Sequence, residues 1–140
     1  MPEITFGTDS EHISVSWPSS LNGDDWGETR VDIAVRSFHG AITPMVEGAD
    51  LLRFAKELRA LYHSLQGMAE LSTRERQIGF KLSAGPGGHL LLAGEAWSEA
   101  TYGNSLRFEI ELDQSFLPEP LNVLEAWANT LNMTPASCRS

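Results

Sequence analysis

Glu109, Glu111 and Asp113 occupy alternate positions of one short segment, and their type and spacing carry the clearest chemistry in the chain. On an extended strand, alternate side chains project to the same side with about 7 Å between successive members. Three like charges in such a row repel and require cations or basic neighbours to offset them. Arg107 sits on the same face and relieves part of that repulsion. The row is therefore either a solvated outer face or a surface complementary to a basic partner. Its surroundings are acidic as well: from Gly88 to Glu125 there are seven carboxylates against the single Arg107. Glu95 joins the row as a candidate, and Trp26 and Trp97 are candidate aromatic anchors, a side chain that concentrates binding energy at interfaces. The candidate partner-binding residues are thus Glu95, Glu109, Glu111, Asp113, Trp26 and Trp97.

Other chemistries fail for want of the right neighbours. His12, His39, His63 and His89 are far apart, and none shares a helical face with a second histidine or glutamate at ligand spacing, so no metal site is expected. Gly85-Pro86-Gly87-Gly88 is glycine-rich, but no Lys-Ser or Lys-Thr follows and the next segment is strand-like, which reads as a hairpin turn rather than a phosphate cradle. No serine stands in a Gly-x-Ser-x-Gly elbow. Asp24-Asp25 fits an Asx turn better than a cation site or a carboxylate acid/base pair. No catalytic residue and no cofactor follow from these patterns.

Length and composition bound the rest. At 140 residues and 15.4 kDa the expectation is one domain, residues 1–140, with a core over about 12–131 and loose ends at 1–10 and 132–140. Cys138 is the lone cysteine, which excludes an intrachain disulfide and a cysteine-rich zinc cage. No basic-then-apolar leader and no apolar run of bilayer length is present, so the expected address is cytoplasmic. A net charge of −9 repels phosphate backbones and anionic lipid, arguing against nucleic acid and membrane surfaces as partners.

The elements that must position these residues follow from periodicity. Leu51, Phe54, Ala55, Leu58, Leu61, Tyr62 and Leu65 recur at helical spacing, predicting a helix over 50–66 closed by a left-handed Gly67. Alternation predicts strands at 12–17, 28–38, 68–72, 76–84, 89–97 and 105–113, with Leu106, Phe108, Ile110 and Leu112 inward in the last. Ile4 and Phe6 are able to add an edge strand. A bend is expected at Gly40, and the run Leu90-Leu91-Leu92-Ala93 is expected to be covered on both faces. Trp26, in a polar loop, reads as an anchor folded onto the core or as an exposed aromatic, the former favoured. Pro118 and Pro120 suit a first helical turn, and with Ser115 as a cap they predict a short helix over 118–131. The fold class is α+β: an antiparallel sheet of about six strands, curled where a strand is buried on both faces, packed by one long helix and a short C-terminal one.

The order of these features resembles a family. An opening hairpin with Asp24-Asp25-Trp26 precedes Gly40 and the helix Asp50-Leu51-x-x-Phe54-x-x-x-Leu58. Gly67-x-Ala69-x-Leu71, the Gly85 to Gly88 hairpin, and Leu106-x-Phe108-Glu109 running into Asp113-Gln114-Ser115-x-Leu117 complete the pattern. This resembles the WapI-type immunity proteins over about residues 12–131. The resemblance implies a small cytoplasmic α+β protein, some members of which bind and neutralise the nuclease domain of a secreted bacterial toxin; it carries over no catalytic residue. One reading is then a non-enzymatic binder whose acidic face occludes a basic toxin. The alternative is a small-ligand-binding domain with a pocket between helix and sheet lined by Phe54, Tyr62, Phe80 and Trp97. A homodimer through a sheet edge or strand face is compatible with either.

Overall fold

In the computed structural model, residues 1–100 and 102–132 are described; of the tail expected to be loose, residues 133–140, with Cys138, lie outside them. The chain runs β1 (Glu3–Gly7), β2 (His12–Ser16), β3 (Trp26–Glu28), β4 (Arg30–Val35), β5 (Phe38–Ile42), β6 (Met45–Glu47) and α1 (Gly48–Ser64). It continues with β7 (Met68–Ser72), β8 (Ile78–Ala84), β9 (His89–Glu99), β10 (Tyr102–Asp113) and α2 (Pro118–Asn132). The α+β class is as expected. The strands, however, form two four-stranded antiparallel sheets, β1-β2-β4-β5 and β10-β9-β8-β7, and a two-stranded ribbon β3-β6, in place of one sheet of about six.

Alternation explains which faces meet. In the first sheet Ile4 pairs with Val15 and Phe6 with Ile13, and Val15 and Ile13 pair in turn with Val31 and Ile33. All six side chains are buried. β1, in the N-terminal stretch, contributes two of the most buried side chains in the core, Ile4 and Phe6. In the second sheet, Leu82 stands beside Leu92 and Leu92 beside Ile110, again all buried. These inner faces and the apolar stripes of both helices form a contiguous cluster. Phe6 of the first sheet, Phe54 of α1 and Phe80 of the second sheet meet edge to face, with ring centroids 5.5 to 6.2 Å apart. Such pairs add about 0.5–1.5 kcal/mol each beyond area burial. Of the four rings expected to line a ligand pocket, Phe54 and Phe80 pack against each other in this core.

The helices are tied down by specific contacts. Leu51, Phe54, Ala55, Leu58 and Leu61 are buried in α1, while Arg53 and Lys56 face out. Arg59 grips Glu125 of α2 with two hydrogen bonds, one of them Nε to Oε2 at 2.8 Å. Trp127 of α2 stacks edge to face on Trp17 at 5.5 Å and donates from Nε1 to the Leu21 carbonyl at 3.1 Å. The entry to α1 passes so close to the 22–25 loop that a Cβ on Gly48 would stand 2.0 Å from the Asn22 carbonyl oxygen.

Local structure departs from expectation in five places. The β4–β5 hairpin turns at Arg36-Ser37, with Ser37 at φ 69°, and Gly40 lies inside β5. Leu65, at φ 54°, takes the left-handed cap of α1 by donating its N–H to Leu61 O, and Gly67 at φ 86° only redirects the chain into β7. Asp113, not Ser115, caps the turn before α2. The Asx turn falls to Asn22, whose Oδ1 accepts from Asp24 N at 3.0 Å. β9 is central in its sheet, but Leu91 is 38% exposed on the outer face, so this strand is covered on one side.

Gly94 lets the inner rows close. A Cβ there would lie 2.6 Å from Phe108 Cζ and 2.8 Å from both Gly79 O and Phe80 Cβ. Gly94→Ala is expected to cost about 1–3 kcal/mol through overpacking, read as an earlier midpoint in urea denaturation with an unchanged slope; full wild-type stability would show that the sheet yields at this point.

Candidate partner-binding surface

The β9–β10 hairpin sets the geometry of the acidic row. Its register pairs Arg107 with Glu95, Glu109 with Ala93, Glu111 with Leu91 and Asp113 with His89. Phe108, Ile110 and Leu112 are buried, which turns Arg107, Glu109, Glu111 and Asp113 outward, and all four are exposed. Inward burial of one set thus fixes outward projection of the other.

The four candidate carboxylates are not equivalent. Arg107 Nε donates to Glu95 Oε2 at 3.0 Å, and Trp97 Nε1 donates to Glu95 Oε1 at 3.2 Å. The Arg107 hydrogen bond, then that of Trp97, hold the Glu95 carboxyl below the usual glutamate range. Asp113 Oδ1 accepts from Ser115 Oγ and from Ser115 N, the latter at 2.8 Å. Those bonds, hydroxyl first, lower its pKa, and they spend it on ending the strand. Glu109 and Glu111 make no ion pair or hydrogen bond among the described residues. They are the two carboxylates of the row with no bond to another described residue.

The patch is also smaller and more mixed than the run of acidic residues suggests. Glu125 is taken by Arg59. Lys81 shares the cross-strand row of Glu109, with Ala93 between them. Beside Glu109 and Glu111 opens a concavity of about 510 Å³ that Glu11 and Arg36 of the first sheet also line, together with Leu91 and Phe116. Sequence reasoning missed Glu11: it sits in the β1–β2 turn, and only the packing of one sheet on the other brings it to this edge.

The two tryptophans lie apart. Trp97 belongs to the Glu95–Arg107 group. Trp26 is on the β3–β6 ribbon, opposite Glu47, and is 42% exposed, so the favoured reading of it as a core anchor is corrected. The ribbon buries Val46 and half-buries Gly27 and Glu47, leaving Trp26, Glu28 and Met45 outward. The Arg74 guanidinium stands 5.2 Å above the Trp26 ring and 3.0 Å from Glu47 Oε1. Among the described residues no three His, Cys, Asp or Glu side chains are grouped to hold a metal ion, and no helix is long and apolar enough to cross a membrane.

The Glu95 pairing has a definite pH sign. A carboxyl whose folded pKa is depressed contributes stability above its unfolded pKa and loses it as pH falls through the folded one. Arg107→Ala should move the Glu95 titration up toward the ordinary glutamate range, followed by carboxyl-carbon NMR; an unmoved midpoint would mean that Arg107 does not set it.

The comparisons with known proteins come to one family and one fold likeness. The model of the WapI-like immunity protein family matches residues 6–132. No curated protein matches the chain. A solved structure titled "Crystal structures of trypanosoma bruciei MRP1/MRP2" aligns over 97% of this chain and 86% of that one, at 12% identity and a TM-score of 0.49, a likeness too remote to speak for this chain. The family match spans the N-terminal sheet, α1, the second sheet with its outward Glu109 and Glu111, and α2, and on it the chain belongs to the WapI-like immunity protein family.

Proposed function

We propose that this protein is a non-enzymatic immunity protein that binds a basic surface on a toxic protein domain and blocks it, acting in the cytoplasm. The observation that carries the reading is the pair Glu109 and Glu111, exposed, adjacent on one strand face and unengaged among the described residues. A nuclease must be basic where it holds its substrate, so carboxylates presented at fixed spacing compete with phosphates for the same cations. The net charge of −9 adds long-range steering of a cationic partner. Glu95 and Asp113, already bonded, stand as flanks that keep the field negative, and Trp97 lies beside Glu95 on the same face.

The binding measurement uses the nuclease domain of a secreted bacterial toxin, the class of partner this reading requires. Glu109→Lys with Glu111→Lys should weaken capture by about tenfold or more and flatten its salt dependence. Both positions face Ala93 and Leu91 across the strands, so no internal pair is lost and the thermal midpoint should stay near wild type. Unchanged affinity in the double variant would remove this face from the interface.

A further inference from the structure

Cations interrupt the acidic face at one place. On the outward side of the second sheet, Glu109, Ala93, Lys81 and Glu70 stand side by side on β10, β9, β8 and β7. Neighbouring strands lie about 4.8 Å apart, so Lys81 is roughly 10 Å from Glu109 along that row. The small residues Gly79 and Ala93 leave a concavity of about 830 Å³ beside Lys81, which Arg74, Arg76, Glu70 and Glu95 also line. Arg74 is held by Glu47, and Glu95 by Arg107. The side chains of Arg76 and Lys81 make no ion pair or hydrogen bond among the described residues, although Glu70 faces Lys81 across the ladder. Arg76 is exposed and its place is set by the β7–β8 turn: its N–H donates to Thr73 O at 3.1 Å, and the buried Thr73 donates its hydroxyl to Ile78 O at 3.1 Å.

We propose that Arg76 and Lys81 are the specificity determinants of this face: the toxic domain that docks on Glu109 and Glu111 presents an acidic side chain to them, beside the base that meets Glu109. The inference rests on the toxin-binding reading and adds the partner's charge pattern to it. Charge complementarity names this occupant. A face of carboxylates alone fits any polycation. Fixed cations within it repel a uniformly basic surface and are matched by one that carries an anion at their position. Such discrimination matters to a chain of net charge −9, which attracts basic proteins of every kind at long range. Lys81 stands in the same cross-strand row as Glu109 with only the short Ala93 between them, so a partner seated on Glu109 reaches Lys81 without any rearrangement of the sheet.

Two titrations of the intact chain test this, one with the nuclease domain of a secreted bacterial toxin and one with poly-L-lysine, a polycation that carries no acid. Lys81→Glu with Arg76→Glu should weaken capture of the nuclease domain about tenfold and strengthen poly-L-lysine binding about threefold or more. Lys56→Glu, on the exposed side of α1, should leave the nuclease domain's Kd within about twofold of wild type, since it changes net charge away from this face. Lys81→Arg keeps the charge and should bind both probes as wild type does. Lys81→Gln with Arg76→Gln supplies the second variant should the glutamate pair lose its native circular dichroism, with both changes in the same direction. Nuclease-domain affinity that ignores Arg76 and Lys81 but falls with Glu109→Lys and Glu111→Lys would overturn the inference and leave the toxin reading standing. Tighter capture of the nuclease domain by the Lys81 and Arg76 variants, unchanged poly-L-lysine binding, or equal weakening by Lys56→Glu would overturn the inference as well. A wild-type chain that captures no such domain, or whose capture ignores both sets of charges, ends the toxin reading and the inference with it.

Discussion

The convergence of Phe6, Phe54 and Phe80 is the contact on which the rest of the structure depends. Each ring comes from a different layer, and their edge-to-face packing joins the two sheets to α1. Neither four-stranded sheet has a reason to hold its shape alone, because each presents one apolar face that must be covered. The three rings are nearly inaccessible to water, and fully burying each stabilises the fold by about 1.5–3 kcal/mol relative to exposure. The second anchor, Trp17 on Trp127, does the same for α2. With both in place, the outward direction of every strand residue is settled.

Much of this was legible in the sequence because burial is periodic. The helix, the strand from Ser105 to Asp113 and the return strand after the glycine turn all announce themselves by spacing. What was not legible depends on contacts between distant segments. Ile4 and Phe6 are two apolar residues in a short stretch, too few to define a period, and they become a strand only because β2 supplies a ladder. Gly40 looked like a bend, but the chain turns at Ser37, where pairing of Val35 with Phe38 leaves a two-residue loop that tolerates one left-handed residue. Leu65 takes a left-handed cap that glycine would occupy with less strain, since helix length here is fixed by where β7 must begin.

The candidate site divides along the same line. Alternation alone puts Glu109 and Glu111 outside. Which carboxylates remain unengaged is a matter of register and local bonding: Arg107 faces Glu95 across the ladder, and Asp113 bends back to Ser115 two residues on. Glu11 arrives from the other sheet, and no local pattern in the chain signals it. Trp26 escaped the core because a three-residue strand, β3, pairs with β6 and turns alternate side chains outward.

A pair of unengaged like charges on a rigid strand is a modest liability in the free protein. At ~7 Å in water the repulsion is roughly 0.6 kcal/mol, and salt reduces it further. Against a cationic surface that displaces water, the same two charges act in a lower dielectric, where each interaction grows severalfold. The strand also fixes their backbone positions before any encounter, so little ordering is left to oppose association. A loop carrying the same residues would have to be immobilised first. Once the inner rows are buried, the fold alone fixes the direction of the few outward residues, Glu109 and Glu111 among them.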